Sequence, residues 1–305
     1  ASATARFENG RLELWVASQA PQACREAVAR ALDLSLGDVT LFPMPAGGSF
    51  DARLESDHAV EAAMIARAIG KPVQLTWSRW QEHLAGRPRT PARAVMAART
   101  AQDGSLTALK LRIAMPATAQ EFGARLFAGA SAREAMDRQD EGDALAMEGM
   151  VPPYRIEHLV VEHVPVGIGL PTGRLRGNSH GIGAFLVETF VDELARRWGR
   201  EPMSYRMALL GHDPRLAACL QRAATLAEWG GGAGGSGEGL ACWKMALGPR
   251  EGRIALVASA RHDDRGIRVD KLTAVADLGR IVNVDIARQQ IEGGLPDVHM
   301  GIVSS

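Results

Sequence analysis

The sequence predicts an α+β protein built from two mixed α/β subdomains, residues 1–150 and 151–305. Three observations carry this. Strand-like alternation and helix-like spacing are interleaved without a strict βαβ rhythm. The strands come in hairpin-like groups. Three glycine-bearing turns punctuate the chain, in AGGSFDARLE (46–55), LRGNSHGIG (175–183) and RVDKLTAVADLGRIVNVDIARQQIEGGL (268–295), and at least two of them feed helices.

Composition narrows the function classes. At 305 residues the chain has room for one large core or two medium ones. Formal net charge is zero, so no basic field points to nucleic acid, and the sparse aromatics offer no base-stacking platform. No apolar run approaches the roughly 20 residues that span a bilayer. The chain opens at Ala1 without an initiator methionine or a signal-type leader, which reads as a processed, split or trimmed product. Cys24, Cys219 and Cys242 lie far apart with no C-x-x-C among them. They read as buried reduced thiols, and the chain is expected to carry no iron–sulfur cluster of its own.

Leu12, Leu14 and Val16 alternate with polar neighbours, as in a half-buried strand. Pro21 suits the first turn of a helix, and Ala23, Ala27, Val28, Ala31 and Leu32 follow at helical spacing. A strand over 39–44 leads into the first glycine turn. A helix over 57–69 follows, capped by Ser56 or Asp57 and stopped at Gly70 with Pro72 beyond. Residues 73–77, 93–101 and 106–113 read as strands, the last two joined by a turn at Asp103 and Gly104. Residues 116–150 lose this regularity and read as helical or irregular surface structure.

The second half opens with Pro152, Pro153 and a strand over 159–166. A helix over 182–198 carries Phe185, Leu186, Phe190, Leu194 and Trp198 on apolar faces and ends at Gly199 and Pro202. Another helix covers 214–228, and the glycine-rich run 230–239 reads as a flexible connector. Three strands then meander through 240–247, 253–260 and 267–276. In the last segment Asp285 can cap a short helix that Gly293 and Gly294 terminate.

Glycine turns that feed helices bring bare backbone N–H groups close to an anionic ligand. Gly47 and Gly48 permit close backbone approach, and Phe50 can wall an apolar pocket; a tight turn with no ligand is the alternative. Arg176 is a five-donor fork suited to a phosphate, just ahead of a helix start where Asn178 and Ser179 can cap or donate. By residue type alone this is a generic anion site. Arg174 reads as solvated, and His180 as a loop histidine with no partner at metal-ligand spacing. Gln290 offers both a donor and an acceptor, or is a plain surface glutamine; Glu292 reads as structural. Asp263 and Asp264 read as a solvated hairpin turn. No G-x-G-x-x-G opens a helix after the first strand, which argues against a Rossmann-type dehydrogenase.

In this order, the three segments resemble the molybdopterin-binding subunit of the xanthine dehydrogenase/aldehyde oxidase family, nearest the bacterial isoquinoline 1-oxidoreductase type. VPPYRIEHLVVEHVPV (151–166) and the strand and helix over 12–32 join the resemblance, which covers nearly the whole chain from Arg6 to about Leu295. It implies two molybdenum-cofactor-binding subdomains and a molybdopterin cofactor with molybdenum, in its cytosine dinucleotide form. Cofactor contacts carry over to Gly47, Gly48, Ser49, Phe50, Arg176, Gly177, Asn178 and Gln290. Such enzymes hold the metal through the pterin dithiolene, so no protein metal ligand is expected. The implied reaction oxidises an aldehyde or an N-heteroaromatic small molecule with water as oxygen source. Electrons leave through iron–sulfur clusters on a partner subunit; the compartment, bacterial cytoplasm or periplasm, is unknown from the sequence.

The family's glutamate base has no match, so the catalytic residue is unknown. Residues 235–238 (GSGE) imitate its motif but lie upstream of the third segment, where the family's motif lies downstream. PDVHMGIVSS (296–305) resembles a later strand of the same subunit. The expectation is a fragment or split subunit, inactive unless joined by the remaining part of the large subunit. Ser49 and Asp51 stand where the family carries glycine. With the missing base they support a second expectation, a degenerate non-catalytic relative serving as an assembly or binding module.

Overall fold

The computed structural model describes residues 1–230, 237–247 and 250–303. Its elements run β1 (Ser2–Glu8), β2 (Arg11–Val16), α1 (Pro21–Ala31), β3 (Val39–Pro43), α2 (Asp57–Ile69), β4 (Val73–Thr76) and α3 (Arg79–Ala85). Then come β5 (Arg93–Thr100), β6 (Leu106–Met115), α4 (Thr118–Leu126), α5 (Ala132–Met136) and β7 (His158–Pro165). The last are α6 (Asn178–Arg197), α7 (Pro202–Leu209), α8 (Pro214–Ala227), β8 (Glu238–Leu247), β9 (Arg250–Asp263), β10 (Gly266–Asp277) and α9 (Val284–Val303). The described strands form three sheets of order β3-β2-β1-β4, β5-β6-β7 and β10-β9-β8, so the fold is a mixed α/β architecture. No helix among the described residues is long and apolar enough to cross a membrane.

Two compact units divide the chain. One takes Ala1–Arg93, Ile113–Met147 and His163–Asn178; the other takes Ala94–Arg112, Glu148–Glu162 and Ser179–Ser305.

In the first unit β1 pairs antiparallel with β2 and β4, while β2 and β3 run parallel and need the α1 crossover between them. The alternation of Leu12, Leu14 and Val16 turns those side chains inward, where they meet Val28 of α1 and Ala59, Ala62, Ala63 and Ala66 of α2. The alanine face of α2 lets the helix lie close on the sheet. Helix α1 begins on Pro21 as expected, where the missing N–H costs nothing. Helix α2 ends at Gly70, whose left-handed φ of 64° suits glycine. Ser56 is its N-cap residue but makes no side-chain capping bond.

In the second unit α8 packs its buried face, Leu216, Leu220 and Ala223, on the β8–β10 meander. Its N-cap Asp213 accepts from Leu216 N at 3.1 Å. Cys219 and Cys242 are free buried thiols in this unit, and Cys24 is one in the first.

Four expectations change. Helix α6 starts at Asn178 rather than at 182, and it buries Val187, Val191 and Leu194 while Phe185 is 69% exposed. Residues 116–150 are not merely surface, since Glu121, Gln139 and Asp143 are buried there. Asn283, not Asp285, caps α9, its Oδ1 accepting from Ile286 N at 2.9 Å. That helix continues past Gly293 and Gly294 to Val303, so 296–303 is helix and not strand. A glycine costs a helix only about 1 kcal/mol, and neither adopts the left-handed turn that would end it. The connector and the first half of GSGE fall on 231–236, outside the described residues.

His58, on the inner face of α2, is 5% exposed and stands edge-on to Trp77. Burial, with the nearby amino group of Ala1 and Arg53, lowers its pKa from 6.5 to about 4. The folded value lies below the unfolded one, so the unfolded chain takes up the proton first as pH falls. Stability is complete above pH 6.5 and is lost as pH drops toward 4. We expect His58 to contribute a loss of up to about 3 kcal/mol over that interval. Urea unfolding across the interval should show a shallower pH slope for His58→Gln than for the unsubstituted chain, and equal slopes would contradict the assignment.

Candidate functional site

The first glycine turn follows β3 and stays off any sheet. Phe50 and Asp51 both take left-handed backbone, φ 50° and 67°. For residues bearing a Cβ this costs roughly 1–2 kcal/mol each, so the surroundings must hold the turn. They do so through hydrogen bonds. Ala52 N donates to Ser49 O at 2.8 Å, and Gln19 N donates to Arg53 O at 3.0 Å. Arg53 Nε donates to Gly48 O at 3.2 Å, and Gln19 Nε2 donates to the Asp51 carboxylate at 3.1 Å. Asp51 thus takes a left-handed backbone of the kind glycine favours, with its carboxylate bonded to Gln19. A Cβ on Gly48 would come within 2.6 Å of the Phe50 ring, whereas beside Gly47 the space is open. The Phe50 ring itself is 53% exposed.

The second turn returns to the first. Arg176 N donates to Phe50 O at 3.1 Å, and its guanidinium carbon lies 5.7 Å from the Phe50 ring centroid. Gly177 is left-handed at φ 80°, with open space beside it, and Asn178 follows at φ 44°. Asn178 N donates to Leu175 O at 2.9 Å. With its amide oriented to satisfy both neighbours, Asn178 also donates to Leu175 O at 3.1 Å and accepts from Arg174 Nη2 at 2.9 Å. Arg174 is therefore engaged rather than simply solvated.

A buried polar cluster beneath these turns was not legible in the sequence. Glu121 on α4 is fully buried and accepts from Thr172 N at 3.0 Å and Thr172 Oγ1 at 2.5 Å. It also accepts from Gln139 Nε2 at 2.8 Å and Arg125 Nη1 at 2.6 Å. Arg125 in turn grips Glu55, the last residue of AGGSFDARLE, with Nη2 at 2.6 Å and Nε at 3.1 Å. Its Nη2 reaches Thr172 O at 2.9 Å. Burial opposes the Arg125 charge, but the hydrogen bonds and charges of Glu55 and Glu121 raise its pKa above the ordinary value. The only hint in the sequence is the i,i+4 spacing of Glu121 and Arg125, which is common on solvated helices.

In the second unit, the start of α6 lies hard against residues 149–150. Ser179 Oγ accepts from Gly149 N at 2.9 Å. A Cβ on Gly183 would stand 1.9 Å from Gly149 O, a clash only backbone movement could relieve. His180 is helical, not a loop residue, and its Nδ1 accepts from Trp243 Nε1 at 3.3 Å, which leaves the ring proton on Nε2. Burial lowers its pKa, with Glu148 opposing. Farther along α6, Glu188 takes Tyr154 Oη at 2.5 Å, Arg206 Nε at 2.9 Å and Cys242 N at 3.0 Å. Burial raises the Glu188 pKa while Arg206 and the hydrogen bonds oppose it. Gln290 lies exposed on α9 in this unit.

Of the sequence-predicted residues, Gly47, Gly48, Ser49, Phe50, Arg176, Gly177 and Asn178 belong to the first unit, and Phe50 and Arg176 are in direct contact. Gln290 belongs to the second. No group of three or more His, Cys, Asp or Glu among the described residues is arranged to hold a metal ion.

Residues 1–210 match the family model described as the molybdopterin cofactor-binding domain, and the chain belongs to that family. It is 30% identical to the β chain of isoquinoline 1-oxidoreductase from Brevundimonas diminuta, over 94% of this chain and 36% of that protein. It is 26% identical to a subunit of nicotinate dehydrogenase from Pseudomonas putida, over 96% of this chain and 26% of that protein. The chain thus spans between about a quarter and about a third of the length of these relatives. Aldehyde oxidoreductase from Desulfovibrio gigas shares the fold with a TM-score of 0.54 at 17% identity, over 88% of this chain and 30% of the other. Quinoline 2-oxidoreductase from Pseudomonas putida 86 does so at 0.52 and 18%, over 88% and 38%.

Gly183→Ala tests the close approach at the start of α6. We expect it to destabilise the protein by about 1–3 kcal/mol in denaturant titration. Gly181→Ala, which meets nothing within 4 Å, should be near neutral by comparison.

Proposed function

We propose that the chain is the molybdopterin-binding part of a molybdenum hydroxylase that oxidises an aldehyde or an N-heteroaromatic substrate, taking its oxygen from water. The observation that carries this reading is the direct bond between the two glycine-bearing turns, Arg176 N–H to Phe50 O, in a chain of the molybdopterin cofactor-binding family. The similarity to isoquinoline 1-oxidoreductase and nicotinate dehydrogenase supports the N-heteroaromatic reading of the substrate.

The residues fit an anionic, phosphate-bearing cofactor. Open space beside Gly47 and Gly177 gives a ligand access to main chain, and the Arg176 guanidinium is a forked cation beside both turns. In the proposed assignment, Gly47, Gly48 and Ser49 offer backbone donors, and Arg176, Gly177 and Asn178 hold phosphate. Phe50 walls the apolar side and excludes water. When bound, the cofactor, in its cytosine dinucleotide form, would supply the molybdenum centre and take up the substrate's electrons. No residue of this chain is assigned as the base. Electrons would pass to an iron–sulfur subunit, and polypeptide equivalent to the rest of the relatives' length would complete the enzyme, the chain being inactive alone.

A second reading, a non-catalytic relative that keeps the fold as a binding or assembly module, draws on Asp51, which holds a carboxylate where the family has glycine. Metal and nucleotide analysis of the native complex separates the two. We expect molybdenum and acid-released cytidine nucleotide near one per chain, with Arg176→Met lowering occupancy by about tenfold or more. A native complex with neither component would favour the second reading, and full occupancy in the variant would remove Arg176 from the site.

A further inference from the structure

The first glycine-bearing turn lies outside helix and sheet, and the second is irregular as far as Asn178, where α6 begins. The first is followed by a single short helical turn, Ala52–Leu54, and residues 166–177 form no helix and only an isolated bridge, Arg89 to Gly173. Their ends nevertheless meet on one side chain. The Arg125 fork holds the Glu55 carboxylate that ends the first segment, and it also holds the Thr172 carbonyl four residues ahead of Arg176. Glu121 fixes the guanidinium from the other side and takes the Thr172 amide and hydroxyl. Both main-chain groups of Thr172 are thereby bound to this one ion pair.

We infer that Arg125, seated on Glu121, is a positioning residue that sets the spacing between the two turns. The side chain of Arg125 is 7% exposed, so it acts through the turns rather than on a ligand. A lysine could not replace it. One compact ammonium cannot grip a carboxylate as a fork while also meeting a second carboxylate and a carbonyl. Apolar side chains of similar volume would pack such a loop at lower desolvation cost, and what the ion pair adds is direction. The inference concerns the turns themselves; only its consequence for cofactor retention rests on the function proposed above.

The test is amide hydrogen exchange on the full chain, comparing the unsubstituted protein with Arg125→Lys, Arg125→Met and Arg138→Met. The last removes an exposed partner of Glu141 and serves as control. We expect both Arg125 variants to speed exchange about tenfold or more at 52–55 and 172–176, with β1 and β2 unchanged. In the cofactor-loaded complex, cytidine nucleotide should wash out faster in the same variants. Unchanged exchange at the two turns, or a rise spread evenly over the first unit, would overturn the inference. Local loosening in a protein that never carries nucleotide upholds the clamp and overturns only the cofactor reading. Should both Arg125 variants fail to fold, Glu55→Ala must loosen 48–55 without loosening β1 and β2, and an unchanged rate there overturns the clamp.

Discussion

A buried guanidinium has five N–H donors and no access to water, so the protein must satisfy it or suffer several kcal/mol of lost solvation. Arg125 meets that demand with two carboxylates and a carbonyl, all from segments that would otherwise be loosely held. Removing one partner from such a pair typically costs about 3–5 kcal/mol, because the other charge is left stranded. The left-handed backbone at Phe50 and Asp51 and the return of Arg176 to Phe50 depend on segment ends kept in register by this cluster. In the second unit Arg206 plays a similar part, fully buried between Glu188 and Asp192 and fixing the middle of α6.

Much of the fold was legible in the sequence because its signals are local. Pro21, Gly70, Gly199 and Pro214 mark helix ends through backbone rules that do not depend on distant partners. The inward alternation of Leu12, Leu14 and Val16 needs only one buried sheet face. What stayed hidden is long-range. Glu121 and Gln139 look like solvated polar residues until Thr172, distant in sequence, brings them its donors and carbonyl neighbours. The start of α6 is hidden in the sequence because glycine at 177, 181 and 183 reads as loop, whereas Gly183 is there to let Gly149 approach. In α9 the glycine pair imitates a stop signal, but with no left-handed residue the helix runs on.

The candidate site was partly legible for the same reason. Glycine-bearing turns and an arginine before a helix mark the residues of the two turns as candidates for anion binding. Their contact was not legible, nor were the roles of Arg53 and Arg125, since generic arginines carry no mark of where they fold. Asp51 refines the family comparison. It retains left-handed backbone where glycine was expected, and Gln19 binds its carboxylate. Left-handed backbone at Asp51 is a conformation that glycine also accepts.

The central claim is that these two turns form a single anion-binding rim. A crystal structure of the cofactor-loaded protein tests it most directly. We expect cofactor phosphate or pterin oxygen within hydrogen-bond distance of both the Gly47–Gly48 main chain and Arg176. Cofactor bound elsewhere, with the Phe50 and Arg176 turn facing solvent, would contradict it.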